Sequence, residues 1–271
     1  MFPAKTDMAT AIKIKGVPSG LRMSNERLTG TSLFLSLVFL LFFSRGVSAV
    51  TVPEKLVFDL TWTGVKAGTA TLETVNDKGR TKIISTARSA DWLSIFYTVD
   101  DRVESLLRDE QKASPVRLPE NYRIRVREGR HRRDKELIFD HSNVQVMFID
   151  HLSHHKQKTY KINEKTHDPL TSFYYVRTLK LEVGKSVYVD VFDSKKLWNV
   201  EVQVLRRERI KTELGEFDTL VIKPLMKSEG IFNRKGEVYI WLTDDKKRIP
   251  VKLESKVPIG SITATLVGGT F

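Results

Sequence analysis

Three groups of side chains in this sequence have types and spacings that invite chemistry. All six histidines fall between His131 and His167, and His151, His154 and His155 cluster beside Asp150. Imidazoles so spaced could hold zinc or copper, as a site without thiols would have to. A loop does not enforce ligand geometry, so a solvated polar loop is the preferred reading, with a metal-dependent hydrolase as an alternative. The second group is cationic. Arg123, Arg125 and Arg127 fall at i, i+2 and i+4, which puts three guanidiniums on one strand face. Arg130, Arg132, Arg133 and Lys135 carry the charge past a turn. Such a row could grip phosphates or carboxylates in bidentate fashion, or protect a solvated strand edge. The third is Arg177, on the apolar stripe that holds Phe173 and Tyr174. A cation there needs either a strand acid or an anionic ligand beside it. Phe173, Tyr174 and Arg177 are therefore the candidate ligand-lining residues.

Other signals fall short. Asp244-Asp245 could be an acid and base pair, but just after a strand it is ordinary turn chemistry. Val183-Gly184-Lys185-Ser186 lacks the earlier glycine of a phosphate-binding loop, because Leu179 stands in its place. No Gly-x-Ser-x-Gly elbow occurs. The chain has no cysteine, which excludes thiol catalysis, thiolate metal sites and disulfides. No catalytic residue is assigned and no cofactor is expected.

The elements that must position these groups are mostly strands. From Gly236 to Leu266 three runs alternate with period 2: Val238/Ile240/Leu242, Ile249/Val251/Leu253 and Ile262/Ala264/Leu266. In the first, Tyr239 and Trp241 take the other face. Asp244–Lys247 and Pro258–Gly260 supply the turns between runs. The pattern recurs from Leu56 onward, with a hairpin turn at Asn76-Asp77-Lys78-Gly79. It breaks at Asp91–Phe96, where one helical turn is expected. One longer helix is expected, over Asp168–Leu179. Asp168 is a preferred N-cap, Pro169 suits the first helical position, and Leu170, Phe173, Tyr174 and Arg177 follow at i, i+3, i+4 and i+7. The fold class is thus all-β and mostly antiparallel. About a dozen strands are expected to form a curved spiral, half-barrel or barrel-like sheet around one central α-helix, because flat sheets leave exposed edges.

Composition bounds the compartment. Thr31–Ser44 is a run of 14 uncharged residues, short for a membrane span, which needs ~20. It fits the apolar core of a signal peptide with cleavage after Ala49, so residues 1–49 are expected to be removed and residues 50–271 to form one domain. Retention of residues 31–44 as an inner-membrane anchor is the alternative. The whole chain carries +12; without residues 1–49 it has 39 basic and 31 acidic residues, a net +8. In an exported protein that charge points to anionic lipid, polysaccharide or acidic protein and away from nucleic acid.

Several short stretches carry a family likeness. They are Trp62–Gly68, Leu137-Ile138-Phe139-Asp140, His167–Arg177, Gly215-Glu216-Phe217, Trp241–Asp245, Arg248–Val251 and Gly260-Ser261. In that order the chain resembles the exported bacterial proteins of domain of unknown function 3108. The resemblance implies a periplasmic or secreted protein of Gram-negative bacteria with a curved sheet. The expected function is non-enzymatic: a monomeric envelope protein holding an apolar or amphipathic ligand (lipid, lipoprotein or hydrophobic peptide) in the concave sheet. The alternative is a module that docks envelope proteins or anionic polymer through the Arg123–Lys135 hairpin.

Overall fold

The structure, a computed structural model, describes residues 52–108, 117–153, 156–193, 195–225, 237–257 and 260–271. The expected signal peptide at residues 1–49, and with it the alternative anchor at 31–44, lies outside the described residues, as do His154 and His155. Everything described belongs to one compact unit, Val47–Phe271. Its order is β1 (Glu54–Trp62), β2 (Val65–Asp77), β3 (Arg80–Ser89), α1 (Asp91–Ser94), β4 (Asp100–Leu107), β5 (Pro119–Glu128), β6 (His131–Asp140), β7 (Gln145–Asp150), β8 (Lys156–Lys161), α2 (Pro169–Thr178), β9 (Ser186–Asp193), β10 (Lys196–Thr212), β11 (Gly215–Leu225), β12 (Val238–Thr243), β13 (Pro250–Val257) and β14 (Gly260–Thr270).

All fourteen strands form one antiparallel sheet in the order β8 to β1, then β14 to β9. The first and last strands therefore meet mid-sheet, where β1 pairs with β14. The sheet is open by its backbone ladder, with β8 and β9 as edges. Those edges nevertheless meet. Tyr160 of β8 lies 5.5 Å, centroid to centroid, from Phe192 of β9, and Phe192 packs among Tyr122, Leu137, Phe148 and Ile162. Between the edges runs the segment leading to α2. His167 N–H donates to Asp190 O, and Phe192 N–H donates to His167 O, both at 2.8 Å. The unpaired edge of β9 is thus covered, as exposed edges must be. Register shifts in β1, β4, β10 and the β12–β13 pair supply local twist for this curl.

Cap chemistry defines α2 as expected: Asp168 accepts from Leu170 N–H at 2.7 Å and Thr171 N–H at 3.0 Å, with Pro169 at the start. The helix ends at Thr178, one residue earlier than its sequence pattern suggests. No residue of α2 is exposed. Tyr174 packs with Ile83 of β3 and Leu107 of β4, while Val176 joins the cluster of β9–β12. Glu54, Leu107 and the Lys247 turn all lie at one end of the sheet, and Tyr174 and Arg177 of α2 pack there.

One expectation needs correction. The alternation in β12 suggests one buried face, yet its Val238, Ile240 and Leu242 enter the core that holds α2 while Trp241 is buried in a second core with Leu56, Val251 and Leu266. A sheet this long folds back on itself, so strands at the fold are covered on both sides. Among the described residues no helix is long and apolar enough to cross a membrane.

Candidate functional site

The helix residues singled out by sequence are brought together, and with them two acids. Arg177 donates from Nη2 to Glu54 Oε1 at 2.7 Å and from Nη1 to Glu54 Oε2 at 2.9 Å. Tyr174 Oη donates to the same Oε2 at 3.1 Å, and Arg177 sits 4.8 Å from the Tyr174 ring centroid. Both charged side chains are almost fully buried, at 3% and 0% exposure. Arg177 thus has a strand acid as its counter-charge. Phe173 packs edge-on to Tyr174 and against the same cluster. At the start of α2, Asp168 Oδ2 accepts from Ser105 Oγ at 2.6 Å and Thr171 Oγ1 at 3.0 Å. Burial pushes its carboxyl up to about 6, against the pull of those hydrogen bonds. The neighbouring His167 stacks on Tyr175 at 4.8 Å, and burial, then the nearby His141, push its imidazole down to about 4. Ser105 and Asp168 have the residue types of a nucleophile and base, but both are sealed from solvent, so this polar cluster fastens the helix to β1 and β4.

The arginine hairpin divides in two. Along the ladder, Arg123 makes two 3.0 Å bonds to Asp134. Arg125 reaches Glu104 at 2.5 Å, and that carboxylate also meets Lys82 and Arg102. Burial alone would raise Glu104, but those cations hold it at about 2. Tyr122, Ile124 and Val126 point the other way into core, as the alternation requires. At the hairpin tip, Arg127, Arg130, Arg132 and Arg133 make no ion pair with any described residue; Arg132 donates only to the carbonyls of Gly129 and His131.

His151, of the proposed metal trio, bonds Glu136 Oε2 through Nε2 at 2.8 Å. Among the described residues no three His, Asp or Glu side chains are grouped to hold a metal ion. Asp244 meets Arg207 at 2.6 Å and Arg248 at 2.9 Å and is held ionised below its ordinary range, first by Arg207. Asp245 accepts from the N–H groups of Lys247 and Arg248, which is turn chemistry. A shallow depression of about 380 Å³ lies between Arg108, Pro119, Phe139 and His141. Both nitrogens of His141 there face backbone carbonyls, at 3.1 and 2.8 Å.

Sequence reasoning missed a further surface. In the antiparallel order, the β1–β2, β3–β4 and β5–β6 connections and the start of β14 share one rim of the sheet. Along it Trp62 pairs with Val65 and with Ile262, Trp92 Nε1 donates to Lys66 O at 3.0 Å, and Tyr97 lies against Gly129 of the β5–β6 turn. Ile95 and Phe96, just after α1, are 79% and 83% exposed. The signal was visible: a connection written Trp-Leu-Ser-Ile-Phe-Tyr is apolar where connections are normally polar.

Comparison with known proteins agrees with this architecture. A crystal structure of a beta-barrel-like protein of domain of unknown function DUF1849 from Brucella abortus superposes with TM-score 0.52 at 12% identity, over 82% of this chain and 98% of that one. At that identity the likeness concerns the fold. No curated protein matches the chain. Residues 57–267 match the family described as "Protein of unknown function (DUF3108)". That match spans nearly every strand described above and well over half the sequence, and the chain therefore belongs to the DUF3108 family.

Proposed function

We propose that this protein is a non-enzymatic binding module of the bacterial cell envelope, acting in the periplasm and engaging an anionic partner through the tip of the β5–β6 hairpin. The observation that carries the reading is the division of that hairpin. Its ladder arginines are ion-paired, Arg123 with Asp134 and Arg125 with the Glu104 carboxylate it shares with Lys82 and Arg102, whereas its tip arginines Arg127, Arg130 and Arg132 are exposed without an ion pair among the described residues. A guanidinium that is solvated and unpaired loses little on meeting a phosphate, sulfate or carboxylate. The interior reading, an apolar ligand against Phe173, Tyr174 and Arg177, is less favoured. Those side chains would first have to leave Ile83, Leu107 and Glu54.

The test is retention on a sulfated polysaccharide column, eluted by a salt gradient. The parent should elute at clearly higher salt than the Arg130→Glu/Arg132→Glu variant, with affinity weakened roughly tenfold or more, since the attraction is electrostatic and screened. Co-elution of the two would overturn the proposal.

A further inference from the structure

We infer that the rim carrying the hairpin tip docks on the surface of an anionic phospholipid bilayer, with Ile95 and Phe96 entering the acyl boundary. This rests on the proposed anionic partner and names it. Four observations converge. Ile95 and Phe96 are the two most exposed large apolar side chains among the described residues. They follow a single helical turn tied to the sheet by Ala90 N–H donating to Ala67 O at 2.7 Å and by the Trp92 indole N–H donating to Lys66 O at 3.0 Å. The loop is therefore held outward by a rigid base. Around these two, exposure falls to 40–47% at Trp62, Trp92 and Tyr97. Indole and phenol rings, apolar in body and polar at one end, favour the headgroup level of a bilayer.

Charge is the fourth observation. Lys66 and Arg88 face Asp59 and Asp100, and the half-buried Asp101 accepts from Arg127 N–H. That leaves the guanidiniums of Arg127, Arg130, Arg132 and Arg133 against the carboxylates of Asp91, Asp101 and Glu128, four cations to three anions, a small excess of positive charge beside the apolar tip. Apolar tip, aromatic collar and basic flank reproduce, in order, the layers met on approaching an anionic membrane. A protein partner would instead be met by a flatter patch with its apolar residues at the centre and half covered. The same topology keeps the N-terminal end of β1, at Glu54, roughly 25 Å from the rim along the strand.

The absence of cysteine makes the test direct. An environment-sensitive dye is placed on Ile95→Cys, and on Ser142→Cys in the β6–β7 turn at the other rim, in full-length protein recovered from expressing cells. Vesicles of phosphatidylethanolamine with phosphatidylglycerol should shift the emission of the first to the blue and leave the second unchanged. In the labelled background, Arg130→Glu/Arg132→Glu should raise the lipid needed for half the shift roughly tenfold. In unlabelled protein, Ile95→Ser/Phe96→Ser should cut vesicle co-flotation roughly 100-fold with the same circular dichroism. No shift at position 95 with retention on the sulfated column intact would overturn the bilayer inference and leave the functional reading standing. Loss of both would overturn both. A shift that needs only higher protein concentration, without lipid, would also overturn it, in favour of contact between copies of this chain.

Discussion

Glu54 is fully buried, and its carboxylate is tolerated there because Arg177 and Tyr174 supply three donors. Removing one partner of such a pair leaves an uncompensated charge, so Arg177→Met and Glu54→Gln should each cost ~3–5 kcal/mol. The double variant should be less damaged than their sum, with a coupling of about 2 kcal/mol in urea titrations. Strict additivity would show that the pair does not hold the helix. A pH signature belongs to the adjacent residues. His167 is near 4 in the folded protein against an ordinary 6.5, so acidification protonates the unfolded chain first and stability falls between pH 6.5 and 4. Asp168 is near 6 against 3.8, so the folded state takes up its proton first and stability rises as pH falls from 6 towards 3.8. The two nearly cancel. Asp168→Asn should lose stability from pH 6.5 to 4.5 and His167→Phe should gain it, each on the order of 2 kcal/mol, read as opposite shifts of the urea midpoint. Shifts of the same sign would sink this account. Sequence alone showed that Arg177 needed a counter-charge but not that Glu54 supplied it, because the two are far apart in the chain and meet only through the fold.

At the scale of elements, the legible features were those set by chemistry within a few residues. Asp168-Pro169 announces α2 because the cap bonds are local, and Asn76 Oδ1 accepting Gly79 N–H at 2.8 Å makes the β2–β3 turn where the sequence placed it. The second buried face of β12 was not legible, since alternation records where apolar side chains point and not what covers the other side. Close strand approach was equally hidden. A Cβ on Gly68 of β2 would lie 2.1 Å from Arg88 O, a backbone atom that cannot step aside. Gly68→Ala should therefore cost ~1–3 kcal/mol. Gly268→Ala, with nothing within 4 Å, should leave the melting temperature nearly unchanged. Equal tolerance at both sites would show that β2 and β3 can separate.

The whole molecule is a sheet whose two ends are chemically different. One end is occupied by α2 and its buried ion pair; the other presents the aromatic and arginine rim. The seam between β8 and β9 depends on Phe192, which is 1% exposed, and on the covering segment at His167. The sequence by itself determined the antiparallel meander, the turns and the helix start, because alternation and capping act between neighbours. Only the tertiary structure decided which edges meet, which acid faces Arg177, and that residues as separate as Trp62, Phe96, Arg130 and Ile262 share one rim. Those outcomes follow from twist accumulated over fourteen strands, a sum that no short stretch of sequence contains.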